Sequence, residues 1–358
     1  MKARQAAAEA RPIRLLIVDD SAVARAVFAR MVGDRREFEI AATVPSASAA
    51  LVFLASQRVD IILLDIEMPG QDGLTALPAL LEASRGARVL IVSSSAEQGA
   101  EATIRALTLG AADTLAKPGA GTFGGRFADL LAEKLIRIGH APDAGAAREC
   151  HRQPNAKVTL RRLGDNRVAC LAIGASTGGL HALSDLLRGL PPSFAVPILI
   201  TQHLPPSFMP IFAGQVQEMS GRPTAVARAG MPLARGRIIV APGEGHLCVE
   251  LGGGMPRVRI TNERVESGCL PSVDPMFASV ADVFGVSGIG VVLSGMGRDG
   301  LRGAEQLAAI GADLFVQDRD SSVVWGMPGA VATAGLASAM LPPFQIADLL
   351  SRRERVAA

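Results

Sequence analysis

The stretch 59-VDIILLDIE-67 runs through a block of aliphatic residues into an aspartate, with Pro69 and Gly70 close behind. It is too short for a buried helix and ends on turn-forming residues, so it reads as a strand covered on both faces. Four more runs of this kind lie around it: 13-IRLLIVDD-20, 38-FEIAATV-44, 88-RVLIVSSS-95 and 111-AADTLAKP-118. Helix-like stretches separate them. This alternation predicts βα units around a parallel sheet, closing a compact domain over residues 12–136.

The pattern then breaks. Residues 140–167 are polar, rich in Ala, Arg, Pro and Gly, and without a steady period. Residues 137–166 therefore read as an interdomain linker. From Val168 the alternation resumes with 168-VACLAIGA-175, 196-VPILITQH-203, 237-RIIVAP-242, 288-GIGVVLSG-295 and 313-DLFVQD-318. The pair 246-HLCVEL-251 and 257-RVRI-260, joined by GGGMP, predicts a β-hairpin. A second α/β domain over residues 167–352 follows.

Composition narrows the function classes. A chain of 358 residues fits two or three domains. With 49% apolar residues it can build real cores, and a net charge of +2 gives no electrostatic case for nucleic acid or an anionic membrane. Aromatics make up 4% and tyrosine is absent, which disfavours base stacking on single strands. The segment MKARQAAAEARPIR has no apolar core of a secretory signal, and no apolar run reaches the length of a membrane span. The four cysteines form no CxxC pair, so neither a disulfide nor a zinc reading is favoured, and a reducing cytoplasm is expected.

In an open parallel sheet, ligands sit beyond the carboxyl ends of the strands. There the first domain places Asp19 and Asp20, Asp65, and Lys117. A single aspartate at a strand end ordinarily caps a turn. The whole set converging on one crevice instead suits a hard divalent cation such as Mg²⁺, and a carboxylate there can form an acyl phosphate. Ser93 and Lys117 could hold the added oxygens. The motifs 17-IVDDSAVAR-25, 64-LDIEMPGQDGL-74, 91-IVSSS-95 and 110-GAADTLAKP-118 resemble the receiver domain of two-component response regulators. The resemblance implies a flavodoxin-like fold and makes Asp65 the phosphoacceptor. It implies that Asp20 and Asp19 hold Mg²⁺ directly and through water, with the Glu67 carbonyl as a third contact. Ser93 becomes the switch hydroxyl, Lys117 the phosphoryl ligand, and Lys117–Pro118 a cis peptide. Thr114 departs from the pattern, which has an aromatic residue there.

In the second domain 171-LAIGASTGGL-180 contains G-x-S-x-G, a strand-to-turn arrangement that lifts a serine hydroxyl at a strand end. The helix start behind it would aim N–H groups and a positive dipole at an oxyanion, or equally at a phosphate. A nucleophilic serine needs a base and an orienting acid. Of five histidines, His140 and His151 fall in the linker, His181 on the following helix, and His246 at the hairpin. His203 closes the next strand, on the same sheet edge as Ser176, although a loop histidine there can also simply cap. For the acid, Asp299 in 293-LSGMGRDGLRG-303 competes with Asp274 and Asp318. The order Ser, His, Asp differs from that of α/β-hydrolases.

The stretches 173-IGASTGG-179, 202-QHLPPSF-208, 241-APGEGHL-247, 271-PSVDPMF-277, 293-LSGMGRDG-300 and 321-SSVVWGMP-328 resemble the catalytic domain of the chemotaxis protein-glutamate methylesterase family (CheB). The resemblance implies a Rossmann-like esterase domain, so that the chain as a whole carries two doubly wound parallel sheets. It implies Ser176 as nucleophile, His203 as general base and acid, and Asp299 as orienting carboxylate, with the backbone around Thr177 and Met296 surrounding the oxyanion. It further implies methyl-accepting chemotaxis receptors as substrate, a chemotaxis-type histidine kinase as phosphodonor, Mg²⁺ for phosphorylation and no cofactor for hydrolysis. A monomer is expected, with no nucleic acid and no membrane insertion. Leu270 and Arg319 depart from the family, which has Arg and an acidic residue there. The rival reading is a regulator whose output domain binds a phosphate or nucleotide without hydrolysis. A DNA-binding output is disfavoured by charge and by the lack of a helix-turn-helix.

Overall fold

A computed structural model describes residues 11–94, 97–117, 125–139 and 158–355. They divide into two compact units, residues 1–145 and 146–358.

The first unit contains β1 (Ile13–Val18), β2 (Phe38–Val44), β3 (Ile61–Asp65), β4 (Arg88–Ser94) and β5 (Asp113–Lys117). They form one sheet in the order β2-β1-β3-β4-β5, all parallel. Every residue of β3 is buried, as expected of a strand covered on both faces. The chain moves outward from β1 to β2, then crosses back to β3. The switch point therefore lies between β1 and β3, the two strands that end in the aspartates. Ser21 starts the helix Ala22–Gly33 by accepting a hydrogen bond from Ala24 N at 3.2 Å. Asp72 does the same for Gly73–Ser84.

The second unit contains β6 (Cys170–Ala175), β7 (Ile198–Gln202), β8 (Thr224–Val226), β9 (Ile238–Val240), β10 (His246–Gly252), β11 (Met255–Thr261), β12 (Gly288–Val292), β13 (Leu314–Gln317) and β14 (Ala339–Leu341). Seven of them build a parallel sheet in the order β14-β13-β12-β6-β7-β9-β8. The antiparallel pair β10–β11 forms the expected hairpin. Its turn is shorter than GGGMP: Met255 and Pro256 pair with Gly252 and Leu251, leaving Gly253 and Gly254 to turn. Both glycines have positive φ, which the absent Cβ permits. The short edge strands β8 and β14 were not expected; three residues each are too few to show a period.

The helix Gly179–Gly189 shows how the sheet is covered. It buries Leu180, Leu183, Leu186 and Leu187 and exposes His181, Asp185 and Arg188, one stripe per face. Burying each leucine stabilises by about 1.5–3 kcal/mol, so this packing holds the start of the helix against the end of β6. Of residues 137–166, the first three end the helix Gly125–Gly139, and 140–157 lie outside the described residues. Residues 158–166 are tied to the second unit. Arg161 Nη1 donates to the Ala312 carbonyl at 2.8 Å, and Gly164 N donates to Asp313 Oδ1 at 3.2 Å.

Candidate active site

The sheet of the second unit turns back between β6 and β12, and the loops after β6, β7 and β12 meet at its carboxyl edge. They carry Ser176, His203 and Asp299. His203 Nδ1 lies 3.1 Å from Ser176 Oγ, and His203 Nε2 lies 2.8 Å from Asp299 Oδ2. The three candidates chosen from the sequence are thus brought together.

The elbow is held from several sides. Ser176 N donates to the Ser294 carbonyl at 3.0 Å, and Gln202 Nε2 donates to the Ser176 carbonyl at 3.0 Å. Gly178 has φ 72°, and a Cβ there would stand 2.3 Å from Val323 Cβ. Only glycine fits both the backbone and the space. On the opposite wall, a Cβ on Gly295 would stand 2.9 Å from Ser176 Cβ. Met296 follows on the exposed rim, and Thr177 follows Ser176, with its carbonyl accepting from Ser294 Oγ at 2.8 Å.

Asp299 is 1% exposed and fully bonded. Oδ1 accepts from Ser272 Oγ at 2.5 Å and Ser267 Oγ at 2.9 Å; Oδ2 accepts from Val273 N at 2.8 Å as well as facing His203. Burial pushes this carboxyl up, but His203, Ser272 and Val273 N outweigh it and hold it below the usual range. Burial works to lower His203, yet the Asp299 carboxylate overrides it and, with Cys269 adding, raises the imidazole to about 9. A neutral imidazole here carries its proton on Nε2, toward Asp299, and turns the Nδ1 lone pair to the serine.

The rival acids lie elsewhere. Asp274 Oδ1 accepts from Gly303 N at 2.9 Å at the start of helix Val273–Phe284. Burial, and then the nearby Asp299, push its carboxyl up to about 6. Asp318 accepts from Ser321 N at 3.1 Å in a turn. His181 is exposed, 3.9 Å from Asp185. His246 is buried and structural, with Nε2 donating to the Glu263 carbonyl and Nδ1 accepting from Ser272 N, both at 2.9 Å. Sequence reading did not single out Ser267, Ser272, Gln202, Ser294 or Cys269. The signal that could have found Ser272 is its place as the capping serine of PSVD, ahead of an apolar run. Of the departures, Leu270 is half-exposed, and Arg319 stacks 5.6 Å from the Trp325 ring centroid.

The first unit has its own cluster. Asp19, Asp20 and Asp65 bring carboxylate oxygens within 4.8 Å of one another. Lys117 Nζ lies 2.7 Å from Asp65 Oδ2 and 2.9 Å from Asp19 Oδ2. Burial pushes the Asp65 carboxyl up against the pull of Lys117, and Asp19 adds to it. Burial works against the Lys117 charge, but the two carboxylates hold its ammonium above the usual range. One cation among three carboxylates leaves negative charge uncompensated, and hard oxygen donors of this kind fit Mg²⁺. Glu67 N faces Asp65 Oδ1 at 3.4 Å. Thr114 sits half-buried in β5. The Ser93 side chain and Pro118 lie outside the described residues.

Two family models match the chain: CheB methylesterase over residues 171–350 and response regulator receiver domain over 15–122. The protein-glutamate methylesterase/protein-glutamine glutaminase 2 of Caulobacter vibrioides is 43% identical, covering 97% of this chain and all of that protein. The protein-glutamate methylesterase/protein-glutamine glutaminase 1 of Rhodospirillum rubrum is 39% identical, covering 95% of each. The crystal structure of the Thermotoga maritima CheB methylesterase catalytic domain superposes with a TM-score of 0.50 at 30% identity, covering 52% of this chain and 99% of that one.

Proposed function

The chain belongs to the CheB methylesterase family, with a receiver domain ahead of the methylesterase domain, and from that premise we propose that it hydrolyses glutamate methyl esters on methyl-accepting chemotaxis receptors. By the same chemistry it deamidates glutamine side chains, as the names of its relatives state for them. The observation that carries the reading is His203 standing between Ser176 Oγ at 3.1 Å and Asp299 Oδ2 at 2.8 Å.

Ser176 Oγ attacks the γ-carbonyl carbon while His203 Nδ1 takes its proton. Asp299 keeps the Nε2 proton in place and stabilises the imidazolium that forms. We assign the oxyanion surround to the backbone of Thr177 and Met296, from their places beside Ser176 and Gly295. His203 then hands its proton to the departing oxygen, and methanol leaves an acyl-serine. Water adds to the acyl carbon with His203 again taking the proton, and Ser176 leaves protonated, freeing glutamate. With glutamine the first leaving group is ammonia. General base help is worth about 10²–10⁴-fold and one oxyanion donor about 10²–10³-fold.

Control is assigned to the receiver domain. Asp65 would accept a phosphoryl group from a chemotaxis-type histidine kinase, with Asp19, Asp20, Asp65 and the Glu67 carbonyl holding Mg²⁺. The ion would neutralise the incoming phosphoryl charge. Lys117 and Ser93 would bind the phosphoryl oxygens. Phosphorylation would relieve inhibition of the esterase by the receiver. No helix among the described residues is long and apolar enough to cross a membrane, and a monomer acting in the cytoplasm fits the proposed substrate. Nothing observed favours the rival phosphate-binding output.

The test is methanol release from a methylated receptor fragment, with and without a small-molecule phosphodonor. The wild type should respond to the donor and Asp65→Ala should not. Ser176→Ala should lose release with its fold intact; unchanged release by that variant would overturn the assignment.

A further inference from the structure

We propose that His203, Cys269 and Asp299 together form a site for a thiophilic divalent cation of the Zn²⁺ class, and that the bound cation holds the esterase inactive. The binding half rests on geometry alone; the inactivation half rests on the reading of His203 as the base.

Imidazole nitrogen, thiol sulfur and carboxylate oxygen of these three residues all lie within 4.8 Å of one another. Cys269 donates its thiol hydrogen to the Ser267 carbonyl at 3.9 Å. It is also the one described cysteine that is not buried, since Cys170 and Cys248 are, and the hydrolytic chemistry has no use for it. Its backbone is anchored to the same network as the carboxylate: Cys269 N donates to Ser267 Oγ at 3.3 Å, and Ser267 Oγ donates to Asp299 Oδ1 at 2.9 Å. A cleft of about 550 Å³ opens beside it, lined by Cys269, Met296, Arg298 and Asp299 among others, so a hydrated ion can reach the site.

The donor set selects the ion. One nitrogen, one sulfur and one oxygen suit Zn²⁺, with water as the fourth ligand, whereas Mg²⁺ demands oxygen throughout. Bonds of about 2.0–2.1 Å at tetrahedral angles place N and O ligands roughly 3.3 Å apart. Nε2 and Oδ2 stand 2.8 Å apart, so the ring must draw back by roughly half an ångström. The hydroxyls of Ser267 and Ser272 hold the carboxylate while it does, the outer-shell support that metal ligands require.

Binding rearranges protons in a defined way. The cation takes the Nε2 lone pair and displaces its proton, to solvent from an imidazolium or to Nδ1 from a neutral ring, so the bound ring keeps its single proton on Nδ1. The thiol releases its proton to solvent and coordinates as thiolate. Ser176 Oγ then faces an N–H donor instead of a lone pair and has no base. Removing the ion returns the proton to Nε2 and restores the centre.

The test uses the full chain, stripped of metal and then kept in saturating Mg²⁺ to occupy the carboxylates of the first unit. Zn²⁺ is titrated against a chromogenic chelator, and Co²⁺ is used as a spectroscopic probe. Wild type should show a thiolate-to-cobalt charge-transfer band that Cys269→Ala lacks. Zn²⁺ affinity should fall at least about tenfold in Cys269→Ala and in Cys269→Ser, each first checked for an unchanged melt. Fluorophosphonate labelling of Ser176 should slow at least about tenfold with one equivalent of Zn²⁺ and recover with chelator. Equal affinity in the cysteine variants, or no thiolate band, overturns the site. Binding without slowed labelling overturns the inactivation. Failure of labelling in metal-free enzyme instead sinks the reading of Ser176, and leaves the binding result standing.

Discussion

His203 meets Ser176 through Nδ1, the ring nitrogen nearer its own backbone, and keeps Nε2 for Asp299. The groups hydrogen-bonded to the Asp299 carboxylate are donors: two serine hydroxyls, the Val273 amide and the imidazole. In Asp299→Asn the new NH₂ can replace Oδ1, because the hydroxyls of Ser267 and Ser272 can rotate and accept. The oxygen then still faces Nε2–H, so the tautomer survives and only the charge is lost.

The pH dependence follows with its sign. In the wild type the base must be neutral, so metal-free kcat/KM should rise with pH to a midpoint near 9, where His203 titrates. Removing the Asp299 charge takes away the larger raising cause and leaves burial, which lowers the imidazole, opposed by Cys269 alone. The midpoint of Asp299→Asn should drop by more than one pH unit, with a plateau lower by about 10²-fold or more. Methanol release followed from pH 5 to 10 checks this. An unmoved midpoint would mean that the limb belongs to another group.

Asp274 is the second acid near Asp299, and its cost is readable. Its carboxyl is pushed up to about 6, first by burial and then by Asp299. A raised acid favours the folded state fully below the unfolded carboxylate pKa, and that contribution is lost as pH rises through the folded value. Asp274→Asn keeps an oxygen for Gly303 N and carries no charge. It should therefore melt higher than wild type at pH 7.5, and the gap should close as pH falls below about 4, near the unfolded carboxylate value. Thermal melts of the two proteins across that range decide it.

How far all this was legible from the chain depends on distance along it. The strands β1 to β7, β9, β12 and β13 announced themselves as short, largely aliphatic runs bounded by Asp, Gly, Pro, Ser or Gln-His. Residues that end strands of one parallel sheet share an edge by necessity, so Ser176, His203 and Asp299 could be grouped without coordinates. The groups that support them could not. Ser267, Ser272 and Cys269 sit in the loop between β11 and the helix Val273–Phe284, where no period constrains direction. The absence of a CxxC spacing argued against a metal, but ligands drawn from three separate loops leave no spacing to read.

Ser272 joins two tasks that one substitution can separate. Its Oγ accepts from Asp274 N at 3.2 Å, capping the helix Val273–Phe284, and donates to Asp299 Oδ1 at 2.5 Å. Ser272→Ala removes the cap at a cost of about 1 kcal/mol. It also removes a donor that holds Asp299 ionised. Ser272→Asp restores a cap but puts a carboxylate against Asp299. Stability should fall in Ser272→Ala, and kcat should fall in both. A Ser272→Ala enzyme with lower Tm but unchanged kcat would confine this serine to the helix.

Lys117 occupies the place where a divalent cation would act, between Asp19 and Asp65 at 2.9 and 2.7 Å. Its ammonium and Mg²⁺ compete for the same oxygens, so Mg²⁺ has to displace part of that contact on binding. Lys117→Met leaves three carboxylates with no cation among them. In chelator the receiver domain should then melt lower than wild type, since uncompensated buried carboxylates are costly. Mg²⁺ should bind the variant more tightly, by about tenfold or 1.4 kcal/mol, and should raise its Tm by more than it raises the wild type's. The check is calorimetric titration of Mg²⁺ into both proteins, followed by melts in Mg²⁺ and in chelator. Weaker Mg²⁺ binding by Lys117→Met would show instead that the lysine supports the cation site by holding Asp19 and Asp65 in place.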